Sequence, residues 1–123
     1  MRVLDGEQVL VRIFIGESDK WLHRPLATAL LERLRKEGFA GATVFHGVAG
    51  FGARSVIHTA NILRLSADLP VVIEVVDTAE HVEKLTRILD EMVVEGLVTM
   101  EKVRVLKYAP RSPRPLDEPR KST

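Results

Sequence analysis

An α+β sandwich, one four-stranded antiparallel sheet with two helices on a single face, is the fold this sequence predicts, and three observations predict it. Two amphipathic helical stripes, Leu26 to Leu34 and Val82 to Met92, are each bracketed by runs rich in β-branched residues. The order is therefore strand, helix, strand, a long connection, then strand, helix, strand. The two halves also echo each other at an offset of 58 positions, so that Leu31, Leu34, Glu37, Gly38 and Phe39 fall on Leu89, Met92, Glu95, Gly96 and Leu97. A doubled βαβ pattern is the ferredoxin-like arrangement, with sheet order 4-1-3-2.

Each element has its own signal. Val9 to Ile15 reads VLVRIFI, interrupted only by Arg12 and closed by Gly16, which predicts a strand buried on one face and largely covered on the other. Pro25 opens the first helix, because the residue before a proline avoids the helical region while proline suits a first turn. Leu26, Leu30 and Leu34, flanked by Ala27 and Leu31, carry its apolar stripe, and Gly38 ends it. Ala42 to Val48 predicts the second strand and Leu69 to Val76 the third. Asp77-Thr78-Ala79-Glu80 has the spacing of a capping box with Asp77 as the cap; Val82, Leu85, Leu89 and Met92 continue as the second helix, and Gly96 stops it. The fourth strand runs from Val98 to about Tyr108, and Phe14 and Phe45 are expected in the core.

The bulk composition narrows the function classes. A chain of 123 residues, 46% hydrophobic and 28% charged, makes one domain with one core. A net charge of +1 supplies no overall field for nucleic acid or an anionic membrane. Cysteine is absent, which excludes disulfides, thiolate metal sites and a cysteine nucleophile. The N-terminus has no long apolar core of a signal peptide and no run is long enough for a membrane span, so a cytoplasmic protein without direct membrane insertion is expected. The domain is expected over residues 1–108. Residues 109–123, with Pro110, Pro113, Pro115 and Pro119 among Arg111, Arg114, Arg120 and Lys121, are expected to be a disordered tail.

Function is expected in the long connection. Close to twenty residues separate the second and third strands, far more than a hairpin needs. They include Gly50-Phe51-Gly52, Arg54, His58 and Thr59. Successive backbone N–H groups at the glycines could cradle a phosphate, with Arg54 as counter-charge and His58-Thr59 reaching a phosphate or ribose hydroxyl. The predicted topology brings Gly16 to Arg24, this connection and Val94 to Leu97 to one end of the sheet. Lys20 and Trp21 thereby join the glycines, Lys20 adding positive potential and Trp21 either stacking on a purine or capping the core. The opposite end is expected to carry short turns and little chemistry. Lys102 and Arg104 on the fourth strand are further phosphate-binding candidates.

Several chemistries lack their residues. The glycine element is followed by no Gly-Lys-Ser/Thr and lacks the GxGxxG fingerprint, so it is neither a P-loop nor a dinucleotide turn. Histidines occur without HxxxH or HxH spacing, which disfavours a metal site. Ser55 lies near His58 without a nucleophile elbow, and Gly16-Glu17-Ser18-Asp19 is acidic where an acylphosphatase carries its arginine-bearing phosphate loop. No RNP-like aromatic run supports RNA recognition.

Four segments in combination, AGATVFHGVAGFG at 40–52, IHTA at 57–60, RLSADLPVVIEVVD at 64–77 and DEMVVEGLVT at 90–99, resemble an uncharacterised PII-like family of bacteria and archaea. The likeness spans Val9 to Tyr108. It implies a ferredoxin-like protomer, assembly as a homotrimer, and an adenine nucleotide (AMP, ADP or ATP) as effector in clefts between subunits, with no obligatory cofactor. It also implies signalling to a target, such as a membrane transporter, through the connection between the second and third strands. Val94-Glu95-Gly96-Leu97 is shorter than the phosphate-gripping loop of true PII proteins, and the tyrosine modified in some PII loops has no counterpart. The nucleotide-binding candidates are then Gly50, Phe51, Gly52, Arg54, His58, Thr59, Lys20, Trp21 and Arg104. The expected protein is a non-enzymatic regulator, and the alternative is a structural or adaptor trimer that binds a protein partner without nucleotide. A small phosphoryl hydrolase is disfavoured for want of a catalytic constellation.

Overall fold

The computed structural model describes residues 3–52 and 68–110. Its elements are β1 (Gly6–Gly16), β2 (Lys20–Trp21), β3 (Arg24–Pro25), α1 (Leu26–Lys36), β4 (Thr43–His46), β5 (Pro70–Asp77), α2 (Ala79–Met92) and β6 (Leu97–Val105). The four long strands form one antiparallel sheet in the order β4-β5-β1-β6, the ferredoxin-like order expected.

Strand alternation and helix periodicity meet on one face. Val11, Ile13 and Ile15 of β1 and Val71, Ile73 and Val75 of β5 pack under Leu26, Leu30 and Leu34 of α1 and Val82, Leu85, Ile88, Leu89 and Met92 of α2. Ile13, Leu30 and Ile73 have no exposed surface. The first helix ends as its glycine predicts. Gly38 takes φ +82°, its N–H donates to the Arg35 carbonyl, and the Phe39 N–H donates to the Leu34 carbonyl, so orphan carbonyls of the last turn are satisfied.

Four expectations are corrected. The cap of α2 is Thr78, whose hydroxyl accepts from the His81 N–H at 3.2 Å. Asp77 is instead the last residue of β5 and is fully buried, its carboxylate accepting from the Ala40 N–H at 2.9 Å and the Thr78 N–H at 2.7 Å. It ties the turn before β4 to the start of α2. Phe45 is not in the core: register pairs it with Val72 on the uncovered face and leaves it 50% exposed, and Phe14 is only partly covered there. Within the turn expected from Gly16 to Arg24 lies a small hairpin, β2 paired with β3, whose two connecting residues Leu22 and His23 take φ +48° and +69°. The fourth strand stops at Val105 rather than near Tyr108.

The uncovered face carries Leu10, Arg12 and Phe14 beside Val72, Glu74 and Val76. At its centre Arg12 bridges two strands, donating to Glu74 at 2.9 Å and Glu101 at 2.6 Å. Those hydrogen bonds, Glu74 first and then Glu101, push the guanidinium further above its ordinary value.

Candidate functional site

The strand registers fix which segments share an end. Gly16 pairs with Pro70, His46 with Val71 and Phe14 with Leu97, so the β1–β2 turn, the start of the β4–β5 connection and the α2–β6 turn lie together. This is the convergence the topology predicts. The turn after β1 is closed by carboxylates: Asp19 accepts from the Gly16 N–H at 2.9 Å, and Asp68 accepts from the Ser18 N–H at 3.0 Å. The Glu17 N–H donates to the Leu69 carbonyl at 2.9 Å, so Glu17 and Ser18 are both tied to the segment entering β5.

The glycines at this end are chosen by close approach. The Gly47 N–H donates to the Pro70 carbonyl at 2.8 Å, and a Cβ on Gly47 would sit 2.7 Å from the Pro70 ring. Gly50, at φ +152°, meets the same ring, whereas a Cβ on Gly52 would enter open space. Phe51 is exposed. Lys20 is exposed on β2, and Trp21 packs against the edge of the core. Arg54, His58 and Thr59 lie outside the described residues. Arg104 stands opposite Glu7, seven pairs along β1 from Phe14 and roughly 23 Å from the glycine end. Within one chain it does not join the other candidates.

The opposite end is not empty of chemistry, contrary to expectation. A cavity of about 490 Å³ opens on the uncovered face there, lined among others by Leu4, Thr43, Glu74, Val76, Val105 and Tyr108. It exists because β4 is short: β4 covers β5 only from Val71 to Glu74, and the chain leaves the sheet at Ala40 to Ala42. Its lining combines apolar walls with a phenol, a hydroxyl and a carboxylate held by Arg12. The signal was present in the sequence as Glu74, an acid in the middle of PVVIEVVD that alternation places on the face opposite Ile73 and Val75.

No three acidic or histidine side chains among the described residues are grouped to hold a metal. Among them, too, no helix is long and apolar enough to cross a membrane.

Comparison with known proteins now places the chain. The profile of DUF190, described as "Uncharacterized ACR, COG1993", matches residues 8–105. The chain belongs to the DUF190 family. A UPF0166 protein of Aquifex aeolicus is 38% identical over 108 residues, covering 86% of this chain and 98% of that one. The UPF0166 protein MJ1524 of Methanocaldococcus jannaschii is 34% identical over 99 residues, covering 80% and 91%. Among solved structures, a Thermus thermophilus chain described as a "putative PII-like signaling protein" aligns with TM-score 0.56 at 19% identity, covering 83% of this DUF190 chain and 93% of its own. At that identity the likeness establishes a PII-like fold.

Proposed function

We propose that this DUF190 protein is a non-enzymatic regulatory trimer that binds an adenine nucleotide between subunits and signals through the segment joining β4 to β5. The observation that carries the reading is the cavity beside β4, an apolar pocket with convergent polar groups at an edge of the sheet where a second subunit could supply the missing wall. Tyr108 and the apolar residues offer surface for a base, and Thr43 and Glu74 offer hydrogen-bond partners. From Thr43 the chain runs four residues to Gly47, about 13 Å, toward the glycines of the loop-bearing end. That span is comparable to an extended nucleotide, with the phosphates then near Gly50, Gly52 and Lys20.

Ring closure gives Arg104 a place. The sheet has two edges, β4 and β6, and a head-to-tail ring sets the β6 edge of one protomer against the β4 edge of the next. Arg104 would then enter the cleft at the β4 edge from the neighbouring subunit. Ligand would act by favouring one conformation of the β4–β5 segment, a shift of populations rather than a reaction.

Isothermal titration with AMP, ADP and ATP tests the proposal. Saturable heat is expected, weakened roughly tenfold by Thr43→Val, in line with one lost hydrogen bond. Absence of both heat and thermal shift at millimolar nucleotide contradicts it. A nucleotide-independent adaptor is favoured by one observation, the exposed Leu22, Val48 and Phe51 at the loop-bearing end. Partner binding unchanged by nucleotide would support that second reading.

A further inference from the structure

The β2–β3 hairpin holds its tip in a conformation that its residues do not favour. A two-residue hairpin turn with positive φ at both positions suits Asn-Gly, yet Leu22 and His23 occupy it, and Leu22 is 74% exposed. The hairpin is nonetheless rigidly mounted. Trp21 packs against the core, the Leu26 N–H donates to the Asp19 carbonyl at 2.8 Å, and Arg24 pairs with Glu32 of α1 at 2.7 Å. The local physics therefore presents an aliphatic knob beside the exposed Lys20.

A matching depression lies elsewhere on the molecule. Between α2 and the edge strand β6 is an apolar groove of about 120 Å³, lined by Val82, Leu85, Leu89, Val98 and Met100, with Met100 70% exposed. Its volume accepts one aliphatic side chain, and Met is a lining residue that adapts to a guest. Thr86 also lines it, and helical spacing sets Glu83 and Asp90, both exposed, on the same stripe as Thr86 along the rim. The basic Lys102 farther along β6 is already engaged by Glu7 at 3.5 Å. Knob and groove thus match in size, and Lys20 beside the knob is opposite in charge to Glu83 and Asp90 at the rim.

We infer that the groove between α2 and β6 receives the Leu22 tip of the β2–β3 hairpin of a second copy of this chain. Leu22 does not fill the groove of its own chain, since it stands in solvent there. The contact joins different surfaces of the two copies, so it is head-to-tail and finite only if it closes into a ring. It rests in part on the trimeric reading above and specifies one contact that holds such a ring together.

The test is molar mass by sedimentation across a concentration series, without nucleotide. Leu22→Asn, which relieves the turn and removes the knob, is expected to leave the fold intact by circular dichroism while weakening association at least tenfold. Lys20→Glu is expected to weaken association, and Glu83→Lys added to it to restore association in part. A trimer whose association is unchanged by Leu22→Asn overturns this contact and leaves the trimeric reading standing. A wild-type chain that is monomeric throughout the series overturns both.

Discussion

On the helix side of the sheet Val11, Ile13, Ile15, Val71, Ile73 and Val75 are almost wholly buried, whereas on the other side Phe14 and Val72 are partly covered and Phe45 stands half exposed. The same strands supply both sets by simple alternation. On the first face α1 and α2 bury those six strand residues within the chain, leaving a shallow groove open between α2 and the edge strand β6. The other has apolar patches around a bridged Arg12 and a cavity with one wall missing. The difference teaches that the two faces of one sheet are finished to different degrees: the first carries most of the buried core, and the second keeps apolar surface open around Arg12.

The sharpest way to break that contrast is to cut both faces equally. Ile13→Ala is expected to cost about 2–5 kcal/mol in chemical denaturation, the usual range for a fully buried aliphatic residue. Phe45→Ala should cost the separated chain under about 1 kcal/mol, as surface changes do, and lower association instead. Equal losses would show that the uncovered face is already complete.

Asp77→Ala comes next, at about 1–3 kcal/mol, because it leaves the buried N–H groups of Ala40 and Thr78 without their carboxylate. Thr78→Ala, removing the helix cap itself, should cost about 1 kcal/mol. Thermal unfolding of the pair ranks them, and a larger loss at Thr78 would show that the helix cap outweighs the buried carboxylate.

Arg12→Leu is expected to change the separated chain by no more than about 1 kcal/mol, since its partners are solvent-accessible. Its effect on association should be larger, because Glu74 and Glu101 would face a neighbour without their cation. Comparing melting at low and high protein concentration separates the two effects.

The smallest effect concerns acid. Arg33 first, at 2.9 Å within the last turn of α1, and Lys84 second, at 3.0 Å across the α1–α2 seam, hold the Glu37 carboxyl below its ordinary value. A carboxyl depressed on folding stabilises the native state above its unfolded pKa, and that contribution fades as pH falls through the folded value. The stability gap between wild type and Glu37→Gln should therefore be fully open near neutrality and close below pH about 4. A gap that persists in acid would remove the ion pairs from the account.

Much of the fold was legible because period is local. The 3.6-residue stripes of α1 and α2 and the apolar β1 and β5 are written in contiguous residues, and the doubled order supplied the topology. What alternation does not reveal is which face has a cover: Phe45 looks like core in sequence and is placed outside only by its pairing with Val72. The one-residue shift from Asp77 to Thr78 arose because Asp and Thr both cap helices, and only the buried position of Asp77 decides between them. The convergence of turns at the loop-bearing end was legible, because it follows from topology alone. The cavity was not, since it depends on β4 being two residues shorter than its apolar run at Gly47-Val48 and one shorter at Ala42.

The central claim is that nucleotide binding requires a second subunit. Titrating ATP into the protein above and below its association range, with molar mass measured on the same samples, tests it most directly. Saturable binding confined to the trimeric samples is the predicted result. Equal affinity in separated chains, or no binding by a demonstrated trimer at millimolar ATP, would contradict it.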